Sequence, residues 1–245
     1  MQKKTFSIII PVLNEESCIA LILNSLNNQS VKVFEVIIVD NDSKDKTTKI
    51  IKEQIPNLGF PLKIVLCKQR GISYARNFGA KFAEGKYLCF FDADGILERN
   101  WIKNAQNILR DNNKLLVLSG FIIYKNKNIL RYLLYNSYSG IGQPIIFFLQ
   151  KWFKTAYLFN GNNMLIEKVL FQELGGFPHI VGEDLALTQI ILKSIKDKNK
   201  FLSSMKLKVF YSSRRFEQKG FFSTLFGWKK DFRSKKDSKH YDWYR

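Results

Sequence analysis

Short apolar runs alternate with stretches whose apolar residues recur at helical spacing through the first half of the chain. That alternation predicts βα units stacking a largely parallel sheet. Residues 6–12 read as the first strand, apolar at nearly every position, as a strand buried on both faces should be. Asn14 then stands as a helix cap, with Glu15 and Glu16 in a first turn where the helix dipole favours negative charge. Ile19, Ile22, Leu23 and Leu26 follow on one face. Further strands are predicted over 33–39, 62–66 and 87–91, with helices from Lys44 and Ser73 between them. Each strand ends in a polar cluster. In an open α/β sheet ligands bind beyond the carboxyl ends of the strands. Asn14 and Glu15, Asp40-Asn41-Asp42, residues 70–76 and Asp92-Ala93-Asp94 are therefore predicted to converge on one edge.

A helix over 99–110 and a fifth strand over 115–121 follow, and the regular alternation then stops. Residues 130–159 are aromatic and irregular, 164–167 read as a short strand, 185–195 as a helix, and 206–211 as a last strand. Residues 132–150 carry no charge and are long enough to span a bilayer. Asn136, Ser137, Ser139, Gly140, Gly142, Gln143 and Pro144 argue against a spanning helix there. Near the C-terminus, Phe221, Phe222, Leu225, Trp228 and Phe232 fall close to one helical face, followed by Lys229, Lys230, Arg233, Lys235, Lys236 and Lys239. Residues 217–245 thus read as a basic amphipathic tail for an anionic membrane surface, with packing of its aromatics on the domain as the alternative.

Charge sharpens the question of partners. With 39 Lys and Arg against 21 Asp and Glu, the 245-residue chain carries +18. Such a balance fits nucleic acid, an anionic membrane or a phosphate-rich substrate. No recognition motif with interleaved basic and aromatic residues is found, and acidic clusters at strand ends repel phosphates unless a metal is bound. The expectation is no nucleic-acid partner. Cys18, Cys67 and Cys89 offer neither a disulfide framework nor a zinc spacing, and His179 and His240 are the only histidines. Any metal should be a hard cation held by carboxylates. Met1 is followed by no apolar signal region, so a cytoplasmic location is expected.

Three groups carry the candidate chemistry. Asp92 and Asp94, one residue apart at a strand end, suit a cation shared with a diphosphate, although such triplets also occur in plain surface turns. Glu183 and Asp184 follow Gly182 before an amphipathic helix, where one of them could serve as general base and both could simply favour the helix dipole. Arg214 and Arg215 end the last strand, where planar guanidiniums could stabilise a leaving diphosphate. Arg76 is read the same way, in a helix where Gly71 and Gly79 would let backbone approach a ligand. A nucleotidyltransferase also uses strand-end carboxylates and a metal, but a Gly-rich phosphate loop after the first strand is lacking.

The run Ile8-Ile-Ile-Pro-Val-Leu-Asn-Glu15, Val39 to Asp45, Gly71 with Ala75-Arg-Asn77, Phe91-Asp-Ala-Asp94, Gly161-Asn-Asn163, Gly175-Gly-Phe177 and Gly182-Glu-Asp184 occur in a telling order. In order and spacing the chain resembles family-2 glycosyltransferases of the GT-A fold over about residues 5–216. The resemblance implies a GT-A domain over 1–216, with a nucleotide-sugar half (1–121) and an acceptor half (122–216), followed by the tail. It implies inverting transfer from a nucleotide-diphosphate sugar. Pro11, Asn14 and Glu15 would line the nucleoside pocket, the Asp40, Asn41, Asp42 segment would read the base, and Asp92 would contact ribose or sugar. Asp94, with Asp92, would hold Mg²⁺ or Mn²⁺; Asp184 would be the base beside Glu183; Gly161, Asn162 and Asn163 would line the sugar or acceptor pocket. Two features depart from the family pattern. Asn41 stands where a second Asp is common, and Ser212-Ser-Arg-Arg-Phe216 replaces the Gln-x-x-Arg-Trp of processive synthases. Transfer of a single sugar, to a glycan or polyprenyl-phosphate-type acceptor at the cytoplasmic membrane face, is the resulting expectation.

Overall fold

The computed structural model describes residues 6–126, 128–136, 143–153, 157, 159–213, 216–217, 220 and 223, with side chains at all of these except 146, 147, 150 and 151. Four parallel strands form one half of a mixed eight-stranded sheet: β1 (Phe6–Val12), β2 (Glu35–Asp40), β3 (Leu62–Leu66) and β4 (Tyr87–Phe91). Every residue of β1, β2 and β4 is buried, as their unbroken apolar runs require, whereas β3 at the sheet edge is only partly covered. The other half holds β5 (Gly95–Leu97), β6 (Val117–Lys125), β7 (Asn163–Glu167) and β8 (Phe201–Ser212), and the strand order is β3-β2-β1-β4-β7-β6-β8-β5. β7 runs antiparallel to both β4 and β6, and β8 runs parallel to β6. The carboxyl ends of β1, β2, β3, β4, β6 and β8 consequently share one edge.

Helices α1 (Ile19–Asn27), α2 (Thr47–Gln54), α3 (Ile72–Ala80) and α4 (Trp101–Asp111) link the first strands. α5 (Ile129–Tyr135) and α6 (Gln143–Phe153) fill the stretch expected to be irregular, α7 (Lys168–Glu173) follows β7, and α8 (Glu183–Ser194) precedes β8. One apolar core lies under α1 and α4 and contains Ile8, Ile10, Ile22, Leu23 and Trp101. The other lies under α3, α7 and α8, around Ile9, Phe90, Phe171, Phe177 and Leu187. Gly79 makes the second layer possible. A Cβ there would stand 2.6 Å from Val39 Cγ2 and 2.7 Å from Ile9 Cγ2. The close approach expected toward a ligand is in fact that of α3 onto the sheet.

Two further expectations change. Asn14 does not cap α1, which begins five residues later behind Cys18. Asn14 instead adopts φ 55°, and its Oδ1 accepts from Lys44 N at 2.8 Å while its own N donates to Ser43 Oγ at 3.1 Å. Glu15 N donates to Thr47 Oγ1 at 2.7 Å, and Glu16 exchanges bonds with Asp45 and Lys46. The acidic residues after β1 therefore knit its loop to the loop after β2 rather than decorating a helix start. Asn163 is likewise fully buried. A register shift at Gly120 and Phe121 interrupts the β6–β8 ladder, and the Asn163 amide donates to the carbonyls of Leu207 and Phe121, at 3.0 and 3.3 Å. Its oxygen accepts from Trp101 Nε1 at 3.1 Å, so the side chain completes the sheet instead of lining a sugar pocket.

Candidate active site

At the shared edge, α3 presents Ser73, Tyr74, Arg76 and Asn77 to segments about one hundred residues further along. Arg76 is 2% exposed. One terminal nitrogen donates to Asp92 Oδ1 at 2.8 Å, the other to Glu183 Oε1 at 2.7 Å, and the guanidinium lies 5.2 Å from the Phe177 ring centroid. Its Nε has no hydrogen-bond partner among the described residues. Burial works against the charge of Arg76, but Asp92, Glu183 and Asp184 outweigh it and hold the guanidinium protonated. Asn77 clamps the next turn through a reciprocal pair, Nδ2 to Phe177 O at 2.8 Å and Phe177 N to Oδ1 at 2.9 Å. His179 stacks on Tyr74 with centroids 3.7 Å apart and meets Ser73 Oγ at 3.3 Å.

Gly182 opens α8 with φ 78°, a left-handed conformation that a side chain would strain. Glu183 and Asp184 then occupy the first turn. Asp184 Oδ1 accepts from Leu185 N at 2.8 Å and Oδ2 from Gly161 N at 3.4 Å. Thr188 fixes this turn by donating to Asp184 O at 2.8 Å and accepting from Phe159 N at 3.1 Å. Gly161 leaves room for this cluster, since a Cβ would sit 2.7 Å from an Arg76 terminal nitrogen and 3.3 Å from Asp184 Cβ and would make Arg76 shift. Burial pushes the Glu183 carboxyl up to about 7, against the pull of Arg76, and raises Asp184 in the same direction.

Asp92 and Asp94 stand beside this group in the turn between β4 and β5. Tyr211 of β8 lies opposite Gly95 and donates to Asn162 O, tying 162 to the same corner. Burial, with Asp92 and Asp94 nearby, raises the Tyr211 hydroxyl well above its ordinary value, so it remains a neutral donor. Among the described residues no group of three or more His, Cys, Asp or Glu is placed to cage a metal. The donor set is two carboxylates, one of which already accepts from Arg76. That fits a hard cation taking its remaining ligands from a diphosphate and water.

The nucleoside-side candidates mostly build the loop. Asp40 is buried and accepts from Ser43 N at 2.9 Å and Thr48 Oγ1 at 3.1 Å. Asn41, the departure from the common Asp, uses its amide on Cys67 O (2.7 Å) and Gln69 O (2.8 Å) and its oxygen on Gly71 N (2.8 Å). It staples the loops after β2 and β3. Pro11 and Glu15 are buried, and Asp42, with φ 72°, is exposed and paired with Lys44 at 2.8 Å. Arg214, Arg215 and all of the 217–245 tail except residues 217, 220 and 223 lie outside the described residues. Asn77, Tyr74 and His179 escaped the sequence reading. Only the pairing of Ala75-Arg-Asn77 with Gly175-Gly-Phe177 hinted at them.

The fold is shared with solved structures that hold nucleotide sugars. S. aureus TarS 1-349 in complex with UDP-GlcNAc superposes with a TM-score of 0.62 at 21% identity, over 85% of this chain and 58% of that one. The mannosyltransferase PcManGT from Pyrobaculum calidifontis, in complex with GDP-Man and Mn²⁺, gives 0.61 at 22% identity, over 86% and 57%. The fold is GT-A. The sequence profile described as Glycosyl transferase family 2 matches residues 7–175, and the chain belongs to that family.

Particular relatives narrow the comparison. The chain is 37% identical over 140 residues to the amylovoran biosynthesis glycosyltransferase AmsB of Erwinia amylovora, covering 54% of this chain and 44% of that one. It is 36% identical over 106 residues to the minor teichoic acid biosynthesis protein GgaB of Bacillus subtilis, covering 42% and 12%. The chain thus spans less than half the length of these relatives.

Proposed function

We propose that the chain transfers a single sugar, with inversion, from a nucleotide-diphosphate sugar to a hydroxyl or phosphate acceptor. The observation that carries this reading is the contact of Arg76 with both Asp92 and Glu183. It brings Asp92 at the β4 end and Glu183 at the α8 start, 91 residues apart in sequence, into one site. Asp184 is the base. Among the described residues its carboxylate is bonded only by backbone N–H groups, one of them long, and burial makes it a stronger proton acceptor. Glu183 is held by Arg76 beside it, and one displacement needs no second carboxylate as nucleophile.

Asp94, with Asp92, would hold Mg²⁺ or Mn²⁺; bound there, the cation would neutralise charge on the diphosphate. The solved relatives with UDP-GlcNAc, and with GDP-Man and Mn²⁺, support a nucleotide-sugar donor and a divalent cation. Arg76, expected to bind the diphosphate, is committed to the carboxylates, which leaves Arg214 and Arg215 for that role. The acceptor is a membrane-associated glycan or polyprenyl phosphate, reached with the basic tail of 217–245 on an anionic surface at the cytoplasmic face. Relatives named for teichoic acid and amylovoran biosynthesis support a polymeric acceptor. No helix among the described residues is long and apolar enough to cross a membrane.

Asp184→Asn tests the base. Transfer to a hydroxyl acceptor should fall at least ~100-fold while donor binding by calorimetry stays intact. A variant with wild-type turnover would remove Asp184 from that role. NMR of the product should show the anomeric configuration opposite to that of the donor.

A further inference from the structure

Between β6 and β7 the chain spends two helices on a surface that the apolar cores do not use. On α5, Ile129, Leu130 and Leu133 are each more than half exposed, and on α6 so are Ile145, Phe148 and Phe153. Leu130 reaches 74% exposure and Phe148 56%. Soluble surfaces scatter such residues singly; here they crowd two consecutive helices. Glu217 meets Asn126 Nδ2 at 2.6 Å just before α5, but along the sequence of the segment the charge is one-sided. From 112 to 166 the sequence contains no Asp or Glu, while Lys114, Lys125, Lys127, Arg131, Lys151 and Lys154 fall within it.

Topology places this surface at the catalytic edge. β6 leads into α5 from its carboxyl end, where Lys125 pairs with Ser212 of β8, and the neighbouring Tyr211 pairs with Gly95, one residue after Asp94. Gln143, at the start of α6, accepts from Ile122 N at 3.2 Å and anchors that helix to the same strand. Phe216, beyond β8, stacks on Tyr135 of α5 with centroids 4.9 Å apart. The chain therefore enters its basic C-terminal segment alongside these helices.

We infer that α5 and α6 form a plate that inserts its apolar side chains into the interface of an anionic bilayer, holding the catalytic edge against the membrane. The inference rests on the proposed membrane-associated acceptor and deepens it, since it gives the domain an attachment distinct from the tail. Apolar insertion and electrostatic attraction are two signals, and stable attachment of a peripheral protein generally needs both. An acidic protein partner would also meet the basic residues, but a bilayer accounts for the spread of exposed Leu, Ile and Phe over both helices.

The full-length chain should sediment with vesicles of phosphatidylcholine containing about 30% phosphatidylglycerol, and far less with phosphatidylcholine alone. The pair Leu130→Glu with Phe148→Glu should lower that partition at least about tenfold, with nucleotide-sugar binding unchanged. Leu133→Ser with Phe153→Ser, a milder pair, should lower it in the same direction and guards against misfolding of the first. Replacing Lys229, Lys230, Lys235 and Lys236 by Glu should leave a salt-resistant remainder of binding, carried by the helices. Unaltered sedimentation of both helix variants overturns the plate. So does a wild-type dimer that the same substitutions dissociate, because a second copy would then cover the face. Loss of vesicle binding in the helix variants of a protein that binds no nucleotide sugar would uphold the plate and sink the glycosyltransferase reading.

Discussion

Arg76 touches Asp92 and Glu183 at 2.8 and 2.7 Å, and its removal would leave both carboxylates without that cation. Arg76→Met should therefore destabilise the domain by about 3–5 kcal/mol, measured by urea unfolding. Arg76→Lys should recover only part of this, because an ammonium lacks the fork that meets two carboxylates. The pH response follows from Glu183, raised from its ordinary range to about 7 by burial. Between those values the folded protein binds more protons than the unfolded chain, so this group's contribution to stability falls as pH rises through the window. Burial raises Asp184 in the same direction, so transfer, which requires ionised carboxylate at the base, should rise with pH. Thermal midpoint and rate should thus move in opposite directions from pH 5 to pH 8, and Glu183→Gln should flatten the stability trend. The sequence pattern could point to Asp92, Glu183 and Asp184. It could not show that Arg76 joins them, because the contacts cross 16 and 107 residues.

At the scale of elements, the strands of the parallel half were legible because burial on both faces leaves an unbroken apolar signature. β4 falls on 87–91 as expected. β5 was missed: three residues are too short to show any period, and its existence depends on pairing with β8. α5 and α6 read as irregular because Ser137, Ser139, Gly140, Gly142 and Pro144 interrupt the apolar run between and into them. The first helix was placed too early for a different reason. Asn14, Glu15 and Glu16 have the composition of a helix start, yet their bonds run to the loop after β2. The seating of α3 makes a separate prediction. Gly79→Ala would push a methyl into Val39 and Ile9 and should cost about 1–3 kcal/mol, read as a lower urea midpoint with unchanged slope. A variant as stable as the parent would mean that α3 can lift from the sheet.

Across the whole molecule, the +18 of the chain divides by location. Arg76 is buried among the carboxylates, Lys125 and Arg131 stand where β6 leads into α5, and the sequence of the tail adds more. Much of the acidic minority that matters is internal, at Asp92, Glu183 and Asp184, beside Asp94 in its turn. The ordered motifs made the family legible, and the structure explains the order: Arg76-Asn77, Asp92, Gly161, Gly175 to Phe177 and Glu183-Asp184 meet in one place. This place, with Asp94 and a divalent cation, is where a nucleotide-diphosphate sugar is proposed to bind. Thermal shift against a panel of UDP-, GDP- and dTDP-sugars, with and without Mn²⁺, tests it most directly, using wild type and Asp94→Asn. A donor at 100 times its dissociation constant should stabilise the wild type by about 2.7 kcal/mol in the presence of Mn²⁺, and Asp94→Asn should lose that gain. A wild-type midpoint unmoved by every nucleotide sugar, with or without the metal, would rule out a nucleotide-sugar site here.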